Sequence, residues 1–263
     1  MYAFNYERPA TLAAAQSLLA AGGNALAGGQ TMIAAMKQRL QQPETVVDLG
    51  GISTLAGIRK EGNAIVIGAM TRHQDVADNA EVRKHIPALA ALADGIGDKQ
   101  IRTMGTLGGS VANNDPAACY PSAVLALGAT VHTDQRTIAA DDFFHGLYTT
   151  ALKAGELITA ISFPIPQKSA YAKFRQPASR FALVGVFVAQ TTGGSRVAVT
   201  GAGNGVFRHP GLESALNTSF TPEAVAQVAI DASQLNADLH ASAAYRANLI
   251  SVQTQRAVKQ ANG

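Results

Sequence analysis

Two glycine pairs hold the residues best placed to do chemistry. Ala27-Gly28-Gly29-Gln30-Thr31 and Thr106-Leu107-Gly108-Gly109-Ser110 each set backbone N–H groups beside small hydroxyl side chains, with no Cβ in the way. Such turns let a phosphate or a polyol chain approach the main chain closely. Two of them imply a long phosphate-bearing ligand gripped at two places, the shape of a dinucleotide. Taken singly, the first is more often a tight strand-to-helix turn with no ligand. The second lies in a run from Gln100 to Pro116 that is too polar for core. That run reads as a turn-rich surface loop or a ligand-binding one.

Other chemistries fail on inspection. No G-x-G-x-x-G occurs, so the usual Rossmann fingerprint is missing. Gly201-Ala-Gly203-Asn-Gly205 comes nearest, but its third glycine falls one position early and no helix opens there. It reads as a strand-end loop. No G-x-x-x-x-G-K phosphate loop is present, and the histidines show no metal-ligand spacing. His73-Gln-Asp75 reads as a helix start. Asp141 and Asp142 are adjacent and point apart, so they make a solvated turn rather than a paired acid and base. The single cysteine, Cys119, excludes an intrachain disulfide and an iron–sulfur or cysteine-type zinc site held by this chain alone.

The elements that must position the two turns follow from pattern. Residues 2–5 read as a strand, and Thr11 caps an alanine-rich helix that ends at Gly22-Gly23. A strand at 25–27 runs into the first glycine pair, Thr31 opens a second helix, and 45–48 is a strand. Strands at 55–60 and 64–67 flank a Glu61-Gly62-Asn63 hairpin turn. Helices follow at 74–80, 87–95 and 121–127, then strands at 131–133 and 157–163. Pro164 and Pro166 mark a break, giving a domain over 1–165, in two lobes split near 55, and another over 166–263. Beyond the break, 171–175, 183–191 and 196–201 alternate like an antiparallel meander. Helices at 222–232 and 241–261 show apolar residues at helical spacing and close the chain.

Composition agrees with a folded binding protein. Of 263 residues, 47% are hydrophobic and 15% charged, and the net charge is +3. Lysines and arginines are scattered, without the clustered basic stripe that nucleic-acid binding leaves. The first nine residues lack a basic leader and contain an acid and a proline, so no signal peptide is expected there. The longest apolar run, Phe181 to Ala189, is too short to span a bilayer. A lone cysteine suits a reducing cytoplasm.

The order of the loops resembles a known family. Ala27-Gly-Gly-Gln-Thr31 with Met36-Lys37, Ile67-Gly-Ala69-Met-Thr71, Thr106-Leu-Gly-Gly-Ser110 with Asn114-Asp115-Pro-Ala-Ala118, Glu156-Leu-Ile158, and Tyr171-Ala-Lys173-Phe-Arg175 are similar to the FAD-binding medium subunit of molybdenum hydroxylases. That group includes carbon monoxide dehydrogenases and xanthine dehydrogenases. Each motif alone is weak, whereas five in order are specific, and the resemblance runs nearly end to end.

The resemblance implies an α+β fold: a two-lobed FAD-binding domain of the vanillyl-alcohol-oxidase type, then a small domain with a three-stranded antiparallel sheet and helices. It assigns the FAD pyrophosphate to the first loop, Ala27, Gly28, Gly29, Gln30, Thr31, Met32 and Ile33. Ala69 and Thr71 join the site, and Gly105, Thr106, Gly109, Ser110, Asn114 and Asp115 line the cofactor. Leu157 and Ile158 touch its edges, Lys173 matches a lysine near the flavin, and Phe181 falls where an aromatic residue shields one ring face. Cys119 stands where relatives often carry an acid that bonds a cofactor hydroxyl, and a thiol is a poor acceptor. Gln30 replaces the histidine through which related flavoproteins attach FAD, so non-covalent FAD is expected. The expected partners are a molybdopterin-binding large subunit and a 2Fe–2S small subunit, in a dimer of heterotrimers. In that assembly this chain relays electrons to an external acceptor. A stand-alone FAD-dependent oxidase and a non-catalytic nucleotide-binding scaffold are the alternatives.

Overall fold

A computed structural model describes residues 1–263, and its chain builds three sheets in succession. The first is parallel: β1 (Asn5–Glu7), α1 (Leu12–Ala20), β2 (Asn24–Leu26), α2 (Met32–Lys37) and β3 (Thr45–Asp48), with strand order β1-β3-β2. Thr11 accepts a hydrogen bond from the Ala14 N–H and caps α1, and Gly22 at φ +94° turns the chain after it. Ala15, Leu19, Val47 and Leu49 form a small core beneath this sheet.

The second layer is larger. Strands β4 (Ile58–Glu61) and β5 (Ala64–Gly68) form the expected hairpin. A helical run follows: α3 (His73–Asp78), α4 (Ala80–His85), α5 (Pro87–Asp94), α6 (Lys99–Met104), α7 (Leu107–Asn113) and α8 (Tyr120–Ala126). Then come β6 (Thr130–Thr133), β7 (Thr137–Ala139) and β8 (Ile158–Pro164), giving a five-stranded antiparallel sheet of order β4-β5-β8-β6-β7. Asn79 separates α3 from α4 by accepting from the Glu81 and Val82 N–H groups, and Pro87 opens α5 where a missing N–H costs nothing. The Gln100–Pro116 run, expected as a loop, instead contributes most of α6 and all of α7. Asp98 and Thr106 cap these two short helices, and α7 buries Leu107 and Val111.

The third sheet holds β9 (Lys168–Arg175), β10 (Ala182–Thr191), β11 (Gly194–Thr200) and β12 (Phe207–Arg208), antiparallel in the order β12-β11-β10-β9. The two-residue β12 makes four strands where the pattern of alternation shows three. Helices α9 (Pro210–Thr218), α10 (Pro222–Ala226) and α11 (Ala243–Asn262) complete the chain. The apolar run ending at Ala189 is explained by β10, whose residues Ala182 to Ala189 are all buried. Phe187 and Ala189 join the core of the second layer, while Val184, Val186 and Val188 join the core under α11. A strand covered on both faces reads as continuous rather than alternating hydrophobicity. No helix is long and apolar enough to cross a membrane.

Candidate functional site

The two glycine loops meet. A Cβ on Gly28 would lie 2.2 Å from the Met104 carbonyl oxygen and 2.6 Å from the Gly105 Cα. One on Gly108 would lie 2.5 Å from the Ala69 Cβ, and one on Gly109 would lie 3.2 Å from the Ala27 Cβ. These glycines let backbone pack on backbone. The second loop is also laced to the segment after β5: Gly108 donates to the Ala69 carbonyl, Leu107 to Thr71, and His73 to Gly105. The outcome is one cavity of about 720 Å³, within the range of small-molecule sites.

Most residues expected at a cofactor share this cavity. Ala27 to Met32, Ala69, Gly105, Thr106, Gly109, Ser110, Asp115, Cys119, Leu157, Ile158, Lys173 and Phe181 all line it. Three do not. Ile33 packs its Cδ1 where a Gly29 side chain would begin, and Gly29 itself sits at φ +71°. The Thr71 hydroxyl is buried and bonds both the N–H and the carbonyl of Gly57. Asn114 ends α7 in a left-handed conformation at φ 44°, and its amide donates to the carbonyls of Gly146 and Thr149.

The first loop shows what kind of ligand fits. The N–H groups of Gly28, Gly29, Gln30 and Thr31 donate to no protein acceptor. Thr31 stands at the start of α2 with helical φ and ψ, and its hydroxyl makes no cap bond. Four successive unclaimed donors in a cavity wall make an anion cradle. The Gln30 side-chain amide donates to the Gly28 carbonyl within the same loop.

The other walls are polar in a controlled way. Glu156 accepts from Arg136, Thr133 and the Lys153 N–H, and the Arg136 bond chiefly holds its carboxyl down at about pKa 2. Asp115 accepts from the Ala117 N–H and the Tyr148 hydroxyl. Cys119 is buried and its Sγ accepts from the Lys173 ammonium at 3.3 Å. The same ammonium donates to the Gly95 and Arg180 carbonyls.

His73 is the wall residue that the sequence pattern hides. It begins α3 as expected, yet it is 95% buried, stacks obliquely on Tyr120 at 5.3 Å, and its Nδ1 has no partner. Burial, with help from the Arg102 charge, lowers its pKa to about 4, so it is neutral at pH 7. Ile96, Gly97 and Arg180 also line the cavity from turns that no periodicity marks.

The family described as the FAD binding domain in molybdopterin dehydrogenase matches residues 2–166. The chain belongs to this family. It is an FAD-binding oxidoreductase subunit of the molybdenum hydroxylase type. It is 35% identical over 275 residues to the nicotine 6-hydroxylase medium subunit of Paenarthrobacter nicotinovorans, covering 98% of this chain and 97% of that one. Identity to the carbon monoxide dehydrogenase medium chain of Afipia carboxidovorans is 34% over 285 residues, covering 98% and 96%. Among solved structures, a carbon monoxide dehydrogenase from Hydrogenophaga pseudoflava that lacks the Mo-pyranopterin moiety of its cofactor superposes with a TM-score of 0.92. That match has 33% identity over 99% of this chain and 97% of that one. The α+β architecture is therefore that of the carbon monoxide dehydrogenase medium chain.

Proposed function

We propose that the cavity between the glycine loops holds FAD non-covalently. On this reading the chain takes electrons from a 2Fe–2S partner subunit and passes them to an external acceptor. The observation that carries the reading is the run of four unclaimed N–H groups from Gly28 to Thr31, which suits a pyrophosphate. Leu157 just before β8, Ile158 at its start, Cys119 before α8 and Phe181 before β10 then hold the rest of the cofactor, with Lys173 of β9 bonded to Cys119 in the same wall. Gln30 offers no nucleophile for a covalent link. When bound, FAD supplies a centre that takes and gives electrons singly or in pairs, while the protein binds, orients and shields it.

The medium-subunit names of the relatives support an assembly with a molybdopterin-binding large subunit and an iron–sulfur small subunit. We place it in the cytoplasm as a dimer of heterotrimers, with residues 1–165 as the cofactor-binding domain and 166–263 as the C-terminal one. The test is an absorbance spectrum of the purified chain after reconstitution with FAD, beside co-purification from the native host. A flavin spectrum with partners carrying molybdenum and iron–sulfur is expected. A chain that takes up no flavin overturns the reading. A chain that takes up flavin but oxidises a substrate without partners is a stand-alone oxidase instead.

A further inference from the structure

Lys173 lies where the resemblance puts a cation near the flavin, but its hydrogen bonds point to another task. An ammonium has three donors and no acceptor. Here all three are committed within the protein: to the Gly95 carbonyl at 2.7 Å, the Arg180 carbonyl at 3.1 Å and Cys119 Sγ at 3.3 Å. These acceptors belong to three separate segments around the cavity, namely the turn after α5, whose Ile96 and Gly97 line it, the loop between β9 and β10, and the approach to α8.

The loop between β9 and β10 closes the rim. Ser179, Arg180 and Phe181 are exposed and still line the cavity. The loop has its own frame, with Gln176 N–H donating to the Phe181 carbonyl and Arg180 N–H to the Gln176 carbonyl. Arg180 sits at φ +63°, a conformation that is unfavourable for a residue with a Cβ and persists where neighbours hold it. Two bonds do the holding, the first from β9 of the same hairpin and the second from across the rim. One is Lys173 Nζ to the Arg180 carbonyl, and the other is Arg180 Nη1 to the Gly97 carbonyl at 3.3 Å.

We propose that Lys173 is the latch of a lid formed by residues 176–181, a positioning residue that governs cofactor release rather than a cation directed at the cofactor. The lid joins the third sheet to the turn after α5, so opening it requires the ammonium to let go of at least one carbonyl. The identity of the trapped cofactor rests on the FAD reading above, whereas the latch itself is a property of the chain.

The experiment compares the wild-type chain with Lys173→Met, which keeps the aliphatic stem and removes the donors. Hydrogen exchange of the 176–181 amides is followed in the FAD-free and FAD-loaded protein, and FAD release is followed by flavin fluorescence after dilution. The variant is expected to exchange faster at the lid in both forms. It is expected to release FAD roughly tenfold faster, the scale of one charge-assisted hydrogen bond, with the flavin reduction potential unchanged. Unaltered lid exchange overturns the latch. So does a shifted potential with unaltered release, the signature of a cation acting on the flavin. Arg180→Ala, which removes only the bond to Gly97 from an exposed loop, is expected to loosen the lid to a smaller degree, and no loosening there also counts against the proposal. If the wild-type chain takes up no FAD, the FAD reading fails, while lid exchange in the FAD-free protein still decides the latch.

Discussion

Gly28 presses against Gly105 so closely that a single methyl on Gly28 would come within 2.6 Å of the Gly105 Cα. The atom nearest that methyl is the Met104 carbonyl oxygen, a rigid backbone group that no rotamer change can move aside. This contact fixes the spacing between the two glycine loops that wall the cavity. Gly28→Ala is therefore expected to push the loops apart, lowering stability by about 1–3 kcal/mol as other overpacked sites do and reducing FAD occupancy. Gly109→Ala meets softer neighbours, the Thr106 hydroxyl at 2.9 Å and the Ala27 methyl at 3.2 Å. A milder loss is expected there. Urea midpoints and bound flavin per chain measure both. Equal behaviour of the two variants would show that the loop contact does not set the site.

Both glycine pairs were visible in the sequence, and so was their pairing in one cavity. The reason for each glycine was not, because Gly28 and Gly108 face protein backbone rather than open space. Helices α6 and α7 leave no mark in the pattern because six or seven residues fall short of two turns, too few for a helical period to show against a polar background. The helix expected over 222–232 stops at Ala226, and propensity alone does not mark that end. His73 gave no signal, since a histidine that starts a helix looks the same in one sequence whether it faces solvent or a cavity. Long-range features such as the Lys173 bonds depend on which segments the topology brings together, and spacing along the chain does not encode that.

His73 makes the protein sensitive to acid. Its pKa in the folded chain is about 4, below the ordinary value of 6.5, because burial disfavours the charged ring. Between those values the unfolded chain binds the proton and the folded chain does not, so stability rises with pH across that window. Its contribution is complete above about pH 6.5 and is lost as pH falls toward 4. His73→Leu removes this slope while filling a similar volume. Denaturation midpoints measured from pH 7 to pH 4.5 are expected to fall less in the variant than in wild type. Parallel curves would mean that the ring is accessible and ordinary.

Arg246 anchors the C-terminal helix to the third sheet. The residue is 3% exposed, and its Nη1 donates to the Leu183 carbonyl at 2.8 Å and the Gly201 carbonyl at 2.9 Å. Its Nη2 reaches the half-exposed Asp238. Arg246→Met preserves most of the packing but strands two carbonyls with no donor, which is expected to cost about 2–4 kcal/mol. The loss appears in a chemical melt. The first glycine loop lies far along the chain in another sheet, so variant protein that remains folded is expected to keep FAD. A melt within 0.5 kcal/mol of wild type would mean that those carbonyls find water instead.

Glu156, which also lines the cavity beside Leu157, supplies the complementary pH test. Its carboxylate accepts two bonds from Arg136, one from the Thr133 hydroxyl and one from the Lys153 N–H, and these hold its pKa near 2 against an ordinary 4.5. A depressed carboxyl stabilises the fold above its unfolded pKa and loses that contribution as pH falls through the folded one. Glu156→Gln keeps the shape, removes the charge, and leaves Arg136 with a weaker acceptor. The variant is expected to be less stable than wild type at pH 7, and the gap is expected to narrow steadily from pH 4.5 downward. Because Leu157 and Ile158 follow directly and line the cavity, the variant is also expected to bind FAD more weakly at pH 7. A gap in stability that stays constant down to pH 3 would assign the effect to packing and remove the carboxylate from the account.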